Sequence, residues 1–268
     1  MAVKVGNLES ANRVITQTVG NFSVLEYKKD MSVAPDNAVN EYFMGQMDVR
    51  RRQVVINLSD DRSATVQAGA MQWTTGSVSA TTGVKGVGDL FGKMAKSMVT
   101  KESAIKPEYV GNGLLVLEPT YKYIILQDVS TWGGSGMAIE DGMFLACDGN
   151  VKQSVVARNS LSSAVAGGEG LFNLNLSGSG VVALESNVPA EELIEIELDN
   201  DVLKIDGNMA IAWTSSLQFT VERSGKSLIG SAASGEGLVN VFRGTGKVLM
   251  SPVAPSITLF AATHAKKQ

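Results

Sequence analysis

The chain is poor in the residues from which most active sites are built. Of its 268 residues one is cysteine, Cys147, and one is histidine, His264. A single cysteine excludes an intrachain disulfide and reads as a small buried hydrophobe in a reducing compartment. Its neighbour Asp148 opposes the electropositive setting that a reactive thiol needs. With His264 alone, four residues from the C-terminus, Ser-His-Asp and Cys-His arrangements and ordinary His/Cys zinc sites are excluded. Proline is scarce, at 6 residues, so no Pro-rich linker divides the chain. Charged residues make up 19% and the formal net charge is −4, which gives no overall attraction to a phosphate backbone. No apolar run approaches the roughly 20 residues of a membrane span. Residues 1–17 show neither a signal-peptide core nor an Arg-rich presequence, so the expected location is the cytoplasm, with peripheral contact at the inner face of the membrane left open.

What is abundant is glycine, at 28 residues. Its placement is periodic. Val110-Gly-Asn-Gly-Leu-Leu-Val-Leu-Glu118, Ser177-Gly-Ser-Gly-Val-Val-Ala-Leu-Glu185 and Arg243-Gly-Thr-Gly-Lys-Val-Leu-Met-Ser251 share one pattern, Gly-x-Gly followed by an apolar strand. The first glycines, Gly111, Gly178 and Gly244, lie 67 and 66 residues apart, and the second are Gly113, Gly180 and Gly246. A second element precedes each: Gly69-Ala-Met-Gln-Trp73, Gly142-Met-Phe-Leu-Ala146 and Gly207-Asn-Met-Ala-Ile211. A third, Gly168-Glu169-Gly170-Leu-Phe172 and Gly235-Glu236-Gly237-Leu-Val239, is replaced near Lys101-Glu102-Ser103 in the first copy. Three elements in one order at one period predict a triplicated unit.

Strand patterns fill the copies. Leu217–Glu222 and Leu193–Leu198 alternate apolar and polar residues, as half-buried strands do. Leu114–Leu117 and Ile124–Leu126 are continuous apolar runs suited to burial on both faces. The paired glycines can take positive φ at a turn or bulge. The predicted fold is all-β: three tandem antiparallel modules over residues 22–119, 120–188 and 189–258, packed as one unit. Two inserts, residues 31–50 and 84–102, interrupt the first module. The later one has helical spacing, with Asp89 as N-cap and Leu90, Phe91, Met94 and Met98 on one stripe beside Lys93 and Lys96. That stripe suits an anionic membrane surface or a partner groove, or simply packing on the β core.

Phosphate-loop chemistry fails on spacing. Gly246-Lys247 is followed by Val248, with Val241 where the first glycine belongs, and Gly225-Lys-Ser227 has Thr220 there. Gly86-Val-Gly88 puts Phe91 where the dinucleotide fingerprint needs glycine. Among the carboxylates, Asp199, Asp201 and Asp206 read as turn residues before they read as cation ligands. Glu169 and Glu236 read as structural carboxylates between glycines. Arg50-Arg-Arg52 is the strongest charge run and reads as a solvated strand start, since no aromatic residues interleave with it.

The Ala68-Gly-Ala-Met-Gln-Trp73 segment, the two Gly-Glu-Gly-Leu segments and the Gly-x-Gly strands together resemble the family of altered inheritance of mitochondria protein twenty-four. The resemblance covers roughly residues 22–252, and the 31–50 insert departs from the family pattern. It implies three modules like the trp RNA-binding attenuation protein, a homotrimer, and no agreed activity for bacterial members; its motifs are turns, which speak for fold more than function. The expectation is a non-enzymatic homotrimeric β scaffold that binds a protein partner or a membrane surface, with no cofactor, metal or small-molecule substrate. The alternatives are an RNA-binding module, with nucleic acid disfavoured by charge, and a hydrolase or metal-binding protein built on carboxylates alone.

Overall fold

The structure, a computed structural model, describes residues 3–81, 106–157, 172–206, 209–223 and 238–253. A hairpin of β1 (Arg13–Val19) and β2 (Phe22–Tyr27) leads to a 3-10 turn at Pro35–Asn37 and one helix, α1 (Ala38–Gln46). A set of six strand segments then recurs. The first copy holds β3 (Arg52–Leu58), β4 (Ala64–Val66), β5 (Met71–Thr74), β6 (Ser79–Thr81), β7 (Glu108–Val110) and β8 (Gly113–Leu117). The second holds β9 (Tyr123–Asp128), β10 (Met137–Ile139), β11 (Phe144–Asp148), β12 (Lys152–Ala157), β13 (Phe172–Ser177) and β14 (Val181–Ser186). In the third the first two segments fuse into β15 (Ile194–Asp206) and the last two into β18 (Leu238–Met250), around β16 (Ala210–Thr214) and β17 (Gln218–Arg223).

The copies agree residue by residue in their pairing. In the first, Met71 lies opposite Leu117 and Trp73 opposite Val116, with a bulge between. In the second, Phe144 opposes Leu184 and Ala146 opposes Ala183, again with a bulge. In the third, Ala210 opposes Met250 and Ala212 opposes Leu249, with the same bulge. A hydrogen bond closes each pair at the same place: Glu118, Glu185 and Ser251 donate their N–H groups to the carbonyls of Ala70, Met143 and Met209. The chain is therefore all-β, built from three tandem antiparallel modules.

Three sheets result, with strand orders β1-β2-β3-β8-β5, β6-β7-β4-β11-β14-β9 and β12-β13-β10-β16-β18-β15, the last carrying β17 on β18. The second sheet packs one face on the first, through Val54, Ile56, Leu115 and Leu117 against Val66, Ala146 and Ala183. Its other face packs on the third, through Val182 and Leu184 against Ile139, Leu176 and Leu249. Burial on both faces is why β8, β9 and β14 read as continuous apolar runs. The third sheet folds over itself. Trp213 pairs with Val248, six residues along β18 from Phe242, yet the Trp213 and Phe242 rings are 5.3 Å apart. A straight strand would separate them by about 20 Å, so β18 turns back at Gly244 and Gly246 and encloses Trp213, Phe219 and Phe242.

Two expectations are corrected. Asp199-Asn-Asp201 is not a turn between two strands but a bulge inside the single strand β15, with Asn200 at φ +50°. The helix lies in the earlier insert, at Ala38–Gln46, where no helix was expected. The later insert, with Leu90, Phe91, Lys93, Met94, Lys96 and Met98, lies outside the described residues. So do Gly168, Glu169, Gly170, Gly207, Gly235, Glu236 and Gly237.

Candidate functional site

The Gly-x-Gly segments are the corners of the modules. Gly111, Gly113, Gly178, Gly180, Gly244 and Gly246 all hold positive φ, between +97° and +157°. Each corner is held by a side chain that the repeat comparison did not single out. The N–H after the second glycine donates to Thr75 Oγ1 at Leu114 (2.9 Å), to Asp148 Oδ2 at Val181 (2.7 Å) and to Thr214 Oγ1 at Lys247 (3.0 Å). The available signal was an oxygen-bearing side chain at the end of each Gly69-, Gly142- and Gly207-type strand. Asp148 is the odd member. Burial raises its carboxyl above the ordinary value, against the lowering hydrogen bond from Val181. An acid whose folded pKa is raised loses stability as pH climbs from its unfolded value through its folded one. Asp148→Thr, which restores the residue type of the other corners, is therefore expected to raise the melting temperature at about pH 7. The gain should vanish near about pH 2, well below the ordinary Asp value of about 3.9, where the carboxyl is protonated in both states. Thermal unfolding at the two pH values checks this.

The modules join through one seam used twice. β4 of the first copy pairs with β11 of the second: Ala64 opposes Asp148, Thr65 opposes Cys147 and Val66 opposes Ala146. β10 of the second copy pairs with β16 of the third: Met137 opposes Thr214, Ala138 opposes Trp213 and Ile139 opposes Ala212. Gln67 and Glu140 extend the two seams identically, donating N–H bonds to the carbonyls of Leu145 and Ile211. Among the described residues two edges of this kind remain, one in the first module and one in the third. β5, equivalent to β11 and β16, ends the first sheet with nothing on its outer edge among the described residues. The 201–206 half of β15, equivalent to β4 and β10, ends the third. Burial follows pairing: β16 is wholly buried, whereas Met71 on β5 is 39% exposed and Val202 on β15 is 46% exposed.

Cys147 and the arginine run are committed to the fold. Cys147 is wholly buried, and desolvation pushes its thiol up to about 12, which keeps it neutral. The arginine run is not a solvated strand start. The Arg52 guanidinium is buried between Glu26 (3.0 Å) and Asp48 (2.9 Å) and lies 4.2 Å from the centroid of the Tyr123 ring. Arg51 pairs with Asp30 at 2.9 Å and donates its Nε–H to the Tyr121 hydroxyl oxygen at 2.8 Å, a bond that raises its pKa. Arg50 bonds Asp48 at 2.9 Å. The run was misread because its partners come from four separate stretches of chain. Beside it, α1 covers a groove of about 530 Å³ lined in part by Tyr27, Met31, Val33, Tyr42 and Val49. The helix buries no residue, and Val39, Tyr42, Phe43 and Met47 are all exposed. Among the described residues no helix is long and apolar enough to cross a membrane. Asp199, Asp201 and Asp206 lie spread along exposed β15 positions, and among the described residues no three His, Cys, Asp or Glu side chains gather as a metal site would need.

Two proteins of Streptococcus pyogenes are similar to this chain. An uncharacterised protein of Streptococcus pyogenes serotype M6 is 30% identical over 218 residues, covering 78% of this chain and 84% of that protein. The crystal structure of a Streptococcus pyogenes protein superposes with a TM-score of 0.58 at 27% identity, over 82% of this chain and 94% of that one. The family profile described as Mitochondrial biogenesis AIM24 matches residues 46–253, from the end of α1 to the last described residue, and the chain belongs to that family.

Proposed function

We propose that the protein is a non-enzymatic β scaffold that assembles with itself as a homotrimer and presents the assembled surface to a protein partner or a membrane. The observation that carries this reading is the seam. The same strand pairing is made twice inside the chain, and among the described residues one half of it is left unpaired in the first module and the other in the third. Open strand edges are a hazard that folded proteins cover, and a contact between unlike edges closes into a ring without open-ended growth when the rotation allows. Three chains would bring nine modules into one circle, in line with the trimer that the family resemblance implies. The RNA-binding alternative loses support from Arg50, Arg51 and Arg52, whose charges face carboxylates of the same chain. The hydrolase or metal-binding alternative built on carboxylates loses support from Asp199, Asp201 and Asp206, which lie spread along exposed positions of β15. For a partner, the exposed apolar face of α1 is the available surface.

The test is light scattering on a sizing column at dilute concentration, repeated with anionic vesicles and with RNA. The expected mass is that of three chains, unchanged by RNA. A monomer mass under all conditions would overturn the assembly.

A further inference from the structure

We propose that β5 of one copy pairs antiparallel with residues 201–206 of β15 in the next, in the register that the two internal seams dictate. This rests on the self-assembly proposed above and specifies its contact. The register follows by equivalence. Trp73, Ala146 and Ala212 occupy one place in the modules, since each lies opposite the residue five beyond the first glycine of its Gly-x-Gly. Val66, Ile139 and Ile205 occupy another; Ile139 opposes Leu174 and Ile205 opposes Asn240, each four residues before that glycine. The internal seams set Val66 against Ala146 and Ile139 against Ala212. The seam between copies therefore sets Ile205 against Trp73, Lys204 against Thr74 and Leu203 against Thr75.

Side-chain chemistry agrees with this register. No like charges meet across it, because β5 carries no charged residue. The outer face of the first sheet holds Leu25, Val55 and Val116, covered by Leu8, Leu114 and Trp73. In the second copy the equivalents of Val55 and Val116, Leu126 and Ala183, lie in the core between two sheets. The register places this face over the neighbour's third sheet, beside the Trp213, Phe219 and Phe242 cluster. The exposed apolar residues of the two edge strands, Met71 on β5 and Val202 on β15, then lie along a paired seam of the kind already found twice within the chain.

Engineered cysteines test the register. Thr74→Cys combined with Lys204→Cys, in a chain that keeps the buried Cys147, places two thiols directly opposite each other between copies. Mild oxidation is expected to give a covalent trimer on a non-reducing denaturing gel, reversed by dithiothreitol. Thr74→Cys combined with Val202→Cys shifts the pair by two residues, beyond easy disulfide reach, and is expected to stay unlinked. If light scattering shows the trimer while the in-register pair fails to link, or the shifted pair links equally well, the seam is wrong and the assembly stands. A covalent dimer from Thr74→Cys alone would mean a two-fold contact and would also overturn the seam. A wild-type monomer overturns both the assembly and this contact.

Discussion

Gly113→Ala should cost the fold about 3 kcal/mol. Gly113 sits at φ +150°, outside the regions L-residues adopt, and a Cβ built there falls on the Thr75 carbonyl oxygen and within 2.8 Å of its carbonyl carbon. Backbone strain of this kind costs on the order of 1–3 kcal/mol, and the obstacle is main chain, which cannot rotate away as a side-chain tip can. The same carbonyl belongs to the residue whose hydroxyl holds the corner, so moving it also loosens the Leu114 N–H bond. Gly244→Ala is the matched comparison. It has φ +120°, but its nearest neighbour is Leu217 Cδ2 at 3.7 Å, an ordinary contact. That variant carries the strain without the collision, and about 1 kcal/mol is expected. By the usual conversion for a chain of this size, Gly113→Ala lowers the melting temperature by about 6–12 °C and Gly244→Ala by about 2–4 °C. Calorimetry on both variants checks the ranking; equal losses would show that the carbonyl contact does not matter.

Arg52→Met is the second large effect, about 3 kcal/mol. Arg52 is 4% exposed and Glu26 is 7% exposed, so neither charge is compensated by bulk water. Removing the guanidinium leaves the buried Glu26 carboxylate with Lys28 at 2.6 Å as its remaining ionic partner. Breaking a buried pair by deleting one member typically costs about 3–5 kcal/mol, and the lower end applies because Lys28, itself half exposed, stays in place. The double variant Arg52→Met with Glu26→Gln should recover part of the loss, since the uncompensated charge is gone and a neutral acceptor remains. Urea titration reads both: the midpoint should fall for the single variant and partly return for the double, with the slope unchanged.

These two cases mark what was legible in the sequence. The corners were, because glycine leaves a period that survives when every other residue changes: Gly111, Gly178 and Gly244 stand out against unlike flanking strands. The register-setting bulges were not, since Gln72, Leu145 and Ile211 share no side-chain property; the main chain makes the bulge. The seam was also invisible. β4 and β10 are three residues long, Ala64-Thr-Val66 and Met137-Ala-Ile139, too short for any period to show. Their place is set by strands that arrive one module later. Arg50–Arg52 was misjudged for a related reason. A charge run looks solvated until Glu26, Asp30, Glu41 and Asp48 are brought to it by the hairpin and the helix. The helix itself escaped because α1 is nine residues long, too short for Val39, Tyr42 and Phe43 to establish a period.

The forward lending of strands has a consequence for how such a chain is made and altered. β4 is synthesised long before β11, and β10 before β16, so each module waits with one raw edge until its successor emerges from the ribosome. Folding in the direction of synthesis would close the two internal seams one after the other. For the same reason no copy can be cut out as a free-standing piece: a fragment spanning residues 120–188 would carry one raw edge at β11 and another at β10 and would aggregate through both. Whole copies, by contrast, can be inserted between existing ones without breaking any contact type, because each new unit accepts a strand from its predecessor and supplies one to its successor. Gene duplication thus has an easy route to lengthening this protein, while truncation has none.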